Sequence, residues 1–297
     1  MRRKGFKAGL VLAFLPVVLT ATPALAQWYD TTEVPGGVGD IIQPFTLKAH
    51  NLSTGAGLST WIAPGTEPEV TAISLLLRGG YAFSDTPIYL GLEVPMSYYT
   101  SESFSSGFAI GNVGLGVKYR LDPFEESLEI YTGWSLDLLL PTAWVPDDAD
   151  DAMKHLLAQS FGRSNSLMAG MHIPEIFGIV ATFDVVVPGK IVYFQFEIAP
   201  AIFIPVSDTD ERETGGAFIW GAAAGIHIIP EIAFLLEFKG NTPINMEDLD
   251  TFIAISPGFR FDFGLFKPGL WVSIPLTSQY RDIHPDVIIG LDLSFAF

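Results

Sequence analysis

Apolar side chains recur at every second position in residues 286–297. The apolar parity consists of Val287, Ile289, Leu291, Leu293, Phe295 and Phe297. The other parity is mostly small or polar and includes Gly290, Asp292 and Ser294. Because successive side chains leave opposite faces of a β-strand, this two-residue period predicts a strand with one apolar face.

The same alternation recurs along the chain between turn residues and predicts twelve strands. The predicted strands span residues 41–59, 69–83, 87–99, 107–121, 127–141, 176–187, 190–206, 216–229, 231–240, 250–263, 267–277 and 286–297. Their connections alternate between short and long, as do the periplasmic turns and outer loops of bacterial outer-membrane barrels. The predicted fold is therefore all-β, a transmembrane antiparallel up-and-down β-barrel of about twelve strands, with short periplasmic turns and longer extracellular loops.

The N-terminal residues have the pattern of a secretory signal. Four basic residues precede an apolar run that ends in Ala24-Leu25-Ala26, and this tripeptide has the A-x-A form of a cleavage site. We expect residues 1–26 to be a signal peptide, residues 27–40 a periplasmic N-terminal segment and residues 41–297 the outer-membrane barrel. An uncleaved anchor helix is the alternative for the first segment. The expected location is the cell outer membrane, reached by export.

The composition also favours a membrane protein, since 49% of the residues are hydrophobic and only 16% are charged. Residues 218–236 are long and apolar enough for a membrane helix, but Pro230 and Glu231 near the middle predict a turn between two strands instead. The formal net charge of −17 argues against a nucleic-acid partner. The expected surroundings are outer-membrane lipid and lipopolysaccharide.

Charged side chains fall on the strand parity that would face the barrel interior. They are Arg78, Glu93, Lys118, Arg120, Glu129, Asp137, Asp184, Glu197, Glu237, Lys239, Arg260, Asp262 and Asp292. An Arg or Lys facing lipid near the membrane centre would cost about 2–4 kcal/mol, so interior placement is favoured. Two interpretations remain open: the charges line a solute path, or they pair with one another and fill a closed interior. The slight excess of acids favours cations or neutral solutes.

A helix is predicted in the longest connection, between residues 147 and 162. Met153, Leu156, Leu157 and Phe161 recur at helical spacing, acids precede them as N-caps, and Gly162 follows as a stop. This helix either folds into the barrel mouth as a lid or packs over its rim. Other connections are rich in acids, which either form a solvated rim or bind divalent cations that bridge to lipopolysaccharide.

Signals for catalysis are weak. The sequence has no G-x-S-x-G, no H-E-x-x-H and no cysteine, so we expect no enzyme activity, no cofactor and no metal site. The alternative of a lipid hydrolase requires a Ser and a His on the lipid-facing side, whereas His227 falls on the interior parity.

Two short segments resemble known sequence patterns. Leu291, Leu293, Phe295 and Phe297 resemble the C-terminal assembly signal of Gram-negative outer-membrane proteins, which implies that the barrel assembly machinery is a partner. Residues 110–121 resemble a strand of the transporter-like barrels of the phenol-degradation meta-pathway (MetA-like) family. The matching residues are Gly111, Leu115, Gly116, Lys118 and Tyr119, with Asn112 in place of the Asp of that pattern. The second resemblance implies passage of small, often aromatic or hydrophobic compounds across the outer membrane.

The predicted function is that of an outer-membrane channel or transporter for a small solute, acting by diffusion through a narrow charged lumen. The alternative is a structural or adhesive surface barrel with a plugged lumen and acidic outer loops.

Overall fold

A computed structural model describes residues 52–62, 70–83, 87–101, 106–121, 130–146, 148–165, 169–187, 191–206, 213–229, 231–246, 250–277 and 287–296. The strands are β1 (Leu52–Ile62), β2 (Val70–Ala82), β3 (Ile88–Ser101), β4 (Gly107–Ile110), β5 (Gly114–Leu121), β6 (Tyr131–Leu139), β7 (Ile176–Val187), β8 (Val192–Pro205), β9 (Gly215–Ile229), β10 (Ile232–Ile244), β11 (Phe252–Phe261), β12 (Phe266–Pro275) and β13 (Val287–Ala296). One helix, α1 (Ala149–Asn165), and one 3₁₀ turn (Ala169–His172) lie between β6 and β7.

The strands form a single closed antiparallel barrel. Apart from β4 and β5, which do not pair with each other, each strand pairs with its neighbour in sequence, and β13 returns to pair with β1. The short strands β4 and β5 both pair with β3 and occupy one position in the wall, so the barrel has twelve strand positions. The predicted up-and-down barrel and its strand number are confirmed. Closure pairs the strands on both sides except at β4, which pairs only with β3.

Burial alternates along the strands as the sequence predicts. On β8, Gln195 and Glu197 are buried, while Phe194 and Phe196 are 54% and 47% exposed. The same contrast runs around the barrel, with the large apolar side chains exposed on the outer face and the charged ones inside. An apolar outer band is the surface that a transmembrane barrel presents to lipid.

The two ends of the barrel differ. We call the end with residues 83–87, 188–191, 230–231 and 262–265 the turn end, because these connections are short, and the opposite end the loop end. The longest connection, residues 140–175, lies at the loop end. Exposed aromatic rings gather where the strands reach the turn end, as expected of an aromatic girdle: Tyr81, Phe83, Tyr119, Phe259 and Phe263.

The strand predicted over residues 107–121 is interrupted, which corrects the prediction of one continuous strand. On β4 the odd-numbered residues are buried, whereas on β5 the even-numbered ones are, so the facing of the side chains changes across Gly111–Val113. A one-residue change of register turns every following side chain to the other face. Asn112 lies in this interruption and binds the β6–β7 connection.

Residues 218–229 and 232–236 belong to β9 and β10 and not to a helix, and Glu231 lies in a turn, as predicted. None of the helices in the described part of the chain is long and apolar enough to cross a bilayer. The first strand begins at Leu52 and runs to Ile62, three residues beyond its predicted end, and residues 41–51 lie outside the described ranges.

Helix α1 is longer than predicted. Its N-terminus is capped as expected, because the Asp148 carboxylate accepts hydrogen bonds from the backbone N–H groups of Asp150 (3.1 Å) and Asp151 (3.2 Å). Gly162, however, does not stop the helix, which continues to Asn165. A Cβ at Gly162 would lie 2.5 Å from Nδ1 of His172 and 2.9 Å from Cβ of Ser97, so glycine permits close packing at this position.

Candidate functional site

A charged belt lines the interior between the middle of the wall and the turn end. Its members are Arg78, Glu93, Lys118, Asp137, Asp184, Glu197, Glu237, Lys239, Arg260 and Asp292, each on the interior parity of its strand. Of the other predicted residues, Glu129 and the side chain of Arg120 lie outside the described part of the structure. Asp262 follows the end of β11 and forms an ion pair with Lys267 at 3.1 Å, so it lies at the turn end beyond the belt.

The basic part of the belt is held by ion pairs centred on Asp292. Nη1 of Arg260 lies 2.8 Å from Oδ2 of Asp292, and both side chains are buried. Nη1 of Arg78 lies 3.9 Å from Oδ1 of the same carboxylate. Nε of Arg78 lies 3.8 Å from Oε1 of Glu93. These contacts join β2, β3, β11 and β13, so they brace the wall where the last strand meets the first.

The acidic part of the belt lies on β6, β7 and β8. Asp184 and Glu197 are directly opposite each other in the β7–β8 register, and both are 4% exposed. Lys118 interacts electrostatically with Asp137 most strongly, then with Glu93, and also with Glu197. The Asp137 carboxylate lies over Gly116, where a Cβ would collide with it. The belt therefore has carboxylates concentrated on one sector of the wall.

An apolar seal lies on the loop side of the belt. It consists of Leu139, Met171, Ile173, Ile176, Val180, Ala199, Ala201, Phe203, Ala217 and Ile219, with Leu76 and Met246 packed against it. Leu76 belongs to β2, whereas the wall members of the seal belong to β6–β9. β2 is not a neighbour of β6–β9 in the sheet, so contact between Leu76 and the seal crosses the barrel interior. Met171 and Ile173 of the β6–β7 connection belong to the same cluster and occupy this part of the interior.

Asn112 fastens this connection to the wall. Its Nδ2 donates hydrogen bonds to the carbonyls of Gly170 (2.8 Å) and Ile173 (2.6 Å), and its Oδ1 accepts one from the backbone N–H of Ala143 (3.0 Å). Asn112 is completely buried, and its backbone N–H donates to the carbonyl of Met171 at 2.6 Å. Three side-chain bonds thus hold Ala143, near the start of the connection, and Gly170 and Ile173, near its end.

Helix α1 packs inside the loop end against β2, β3 and β4. Nε2 of Gln159 donates to the carbonyl of Ile110 at 2.8 Å, and Oε1 of Gln159 lies 3.1 Å from Nδ1 of His172. Of the residues predicted to form a lid, Leu157 packs against the buried cluster formed by Ala72, Tyr99, Ala109 and Ala158. Met153 and Leu156 are 58% and 41% exposed, and the side chain of Phe161 lies outside the described residues.

The remaining polar interior includes an aromatic layer near the turn end. The ring of His227 lies 5.2 Å from that of Tyr193 on the interior side, away from lipid. The ammonium of Lys239 lies 5.0 Å from the Trp271 ring centroid, within cation–π distance. Among the described residues, no group of three or more His, Cys, Asp or Glu side chains is placed to hold a metal ion.

The sequence reasoning did not identify Asn112, Gln159, Gly162 or His172 as parts of this interior. The signal available for Asn112 was the Gly111-Asn112 dipeptide, which interrupts an alternating strand with turn-forming residues. Gln159 and His172 had no local signal, because their roles depend on contacts between distant segments.

Comparison with known proteins shows a relation of fold. No protein family and no curated protein matches the sequence. Among solved structures, the COG4313 outer membrane channel from Pseudomonas putida F1 superposes with a TM-score of 0.58 at 11% identity, over 85% of this chain and 97% of that one.

Two further solved structures are more distant. The NanC porin has a TM-score of 0.44 at 7% identity, over 83% of this chain and 98% of its own. The CymD monoaromatic hydrocarbon channel has a TM-score of 0.42 at 9% identity, over 84% of this chain and 89% of its own. These TM-scores are too low to support an inference about this chain. The chain thus shares the closed-barrel fold of the COG4313 outer membrane channel.

Proposed function

We propose that this protein is an outer-membrane channel that passes a small solute through the barrel interior. The observation that carries the proposal is the charged belt, with ten ionisable side chains turned inward from a wall whose outer face is apolar. Burying charges is unfavourable unless they are paired or hydrated, so a belt this large favours an interior that admits water and polar groups. A solute would cross the apolar seal first and the belt second.

The belt predicts a preference among ions. Its six carboxylates exceed its four basic groups, so the interior has a negative excess that favours cations. The test is the conductance of the refolded mature chain in a planar bilayer, with the reversal potential measured in a salt gradient. Asp137→Asn should reduce cation preference, and Asp151→Asn on the exposed face of α1 is the matched control. A conducting barrel without cation preference, or one whose preference Asp137→Asn leaves unchanged, contradicts the role of the belt.

A second candidate, a barrel with a plugged interior, is favoured by the apolar seal. Leu76 packs against a cluster that contains Met171 and Ile173, so apolar side chains occupy the interior at that level. A closed barrel should give no conductance as the native chain but should conduct after Leu76→Gly and Met171→Gly are combined. Steady conductance of the native chain excludes this candidate.

We further propose the export and assembly route that the sequence suggests. Residues 1–26 would be removed as a signal peptide, residues 27–40 would remain in the periplasm, and residues 41–297 would enter the outer membrane. The alternating residues Leu291, Leu293, Phe295 and Phe297 would contact the assembly machinery, and lipopolysaccharide would surround the loop end. N-terminal sequencing of the protein from isolated outer membranes should begin at Gln27, and any other start contradicts the proposed cleavage.

A further inference from the structure

One sector of the charged belt has the composition of a binding site. We call it the acidic pocket and define it as Lys118, Asp137, Thr182, Asp184 and Glu197, which face the interior from β5, β6, β7 and β8. These strands are consecutive in the wall, so the five side chains form one continuous surface.

The acidic pocket has three carboxyl groups, Asp137, Asp184 and Glu197, and one ammonium group. Lys118 is its one cation, and its ammonium interacts with Asp137, Glu93 and Glu197 and with Asp184. Asp184 and Glu197 stand opposite each other and interact unfavourably, because two buried carboxylates repel. Buried charges in proteins are normally balanced, so this sector favours a further positive charge.

Two oxygen atoms in the pocket are left without hydrogen-bond partners. Thr182 is 1% exposed and Glu197 is 4% exposed. Within the described ranges, neither Oγ1 of Thr182 nor Oε1 of Glu197 has a hydrogen-bond partner. Buried polar atoms are nearly always paired, so these two indicate a position where a donor from outside the chain binds.

The residues around these two oxygen atoms indicate which kind of donor fits between them. Val180 and Ala199, the next interior residues on β7 and β8, belong to the apolar seal. The carboxylates are spread over several strands, and in the described structure they do not converge as metal ligands do. A group with several N–H donors attached to an apolar body fits this arrangement better than a bare metal ion.

We propose that the acidic pocket binds the ammonium group of a small amphiphilic amine, with the apolar part of that molecule against the seal. The inference rests on the proposed channel function and names the substrate class of that interior. The ammonium donates charge-assisted hydrogen bonds to Glu197, Asp184 and the Thr182 hydroxyl. The apolar body contacts Val180 and Ala199 on the loop side.

The test is calorimetric titration of the full mature chain, refolded in a non-ionic maltoside detergent, with butylammonium chloride. Butan-1-ol and sodium butyrate serve as neutral and anionic probes of the same length. Glu197→Gln keeps the shape of the side chain and should weaken butylammonium binding by about tenfold or more, since one charge-assisted hydrogen bond is lost. Thr182→Val should weaken it less, and Asp151→Asn on the exposed face of α1 should leave it unchanged.

Conductance of the same preparations separates this inference from the proposed function. Butylammonium binding in a barrel that does not conduct supports the pocket and contradicts the channel. Conductance with no butylammonium binding, or with equal binding of butan-1-ol, overturns the pocket and leaves the channel intact. Unchanged binding by a folded Glu197→Gln variant also overturns the inference, and Thr182→Val provides the same test should that variant fail to fold.

Discussion

The side-chain amide of Asn112 donates a hydrogen bond to the carbonyl oxygen of Ile173 over 2.6 Å, and so connects a break in the wall to the segment that fills the interior. The same amide binds the carbonyl of Gly170 at 2.8 Å. The interruption between β4 and β5 therefore has a structural role. In a regular strand the backbone of residue 112 would pair with a neighbouring strand, whereas here both the backbone and the side chain of Asn112 bind the β6–β7 connection. The position of the seal therefore depends in part on Asn112.

Asn112→Asp tests that dependence with almost no change of shape. A carboxylate cannot donate to the carbonyls of Gly170 and Ile173, so the expected loss of stability is about 2–4 kcal/mol, from unpaired and repelling buried groups. Urea titration followed by tryptophan fluorescence measures the change. Limited proteolysis should also cut residues 140–175 faster than in the native chain. An unaltered cleavage pattern would mean that other contacts hold the connection.

Arg260→Met should lower stability by about 3–5 kcal/mol, because it leaves the buried carboxylate of Asp292 without its 2.8 Å partner. Adding Asp292→Asn should restore part of the loss. The exposed pair of Lys154 and Asp151, 2.7 Å apart, is the control, and Lys154→Met should change stability far less. Equal effects at the two pairs would contradict the burial assigned to Arg260.

Gly162→Ala should destabilise the protein, although alanine is the better helix former by about 1 kcal/mol. The added Cβ would lie 2.9 Å from Cβ of Ser97 and would force α1 away from the wall. Met153→Ala, at a position that is 58% exposed, is the matched control. Thermal unfolding of both variants gives the comparison, and a gain in stability for Gly162→Ala would show that α1 does not pack against β3.

Two neighbouring positions on β8 test which face is turned to lipid. Phe196→Lys places a charge on the outer face and should cost about 2–4 kcal/mol near the membrane centre. Gln195→Lys places the same charge beside the interior carboxylates and should cost much less. Unfolding of the two variants in lipid vesicles measures the difference. Similar losses for both would mean that the interior does not accept a further cation.

The pH dependence of α1 follows from its exposed ion pair. The Lys154 ammonium donates a hydrogen bond to Asp151 and holds the pKa of that carboxyl below its ordinary value. A depressed acid pKa contributes stability above the unfolded value, near 3.9, and this contribution disappears as the pH falls through the folded pKa. Nuclear magnetic resonance titration of Asp151 should show the lowered midpoint, and Lys154→Met should return it to the ordinary value.

The two-residue alternation was sufficient to predict the fold and the number of strands, but not the change of facing between β4 and β5. Phe196 and Glu197 illustrate what it did predict, since their placement follows from the pleat of the strand and from the cost of exposing charge to lipid. Those effects are local or depend only on the surrounding medium, so they can be determined from the order of residues.

Only the tertiary structure decided how the interior is filled. Asn112 binds carbonyls 58 and 61 residues away in the chain, and Gln159 binds one 49 residues away. The sequence reasoning took Gly162 for a helix stop, because nothing near it in the chain shows that Ser97 and His172 lie against it. The break in the wall, the seal and the pairing of Arg260 with Asp292 all result from contacts between distant segments, which the periodicity of single strands does not specify.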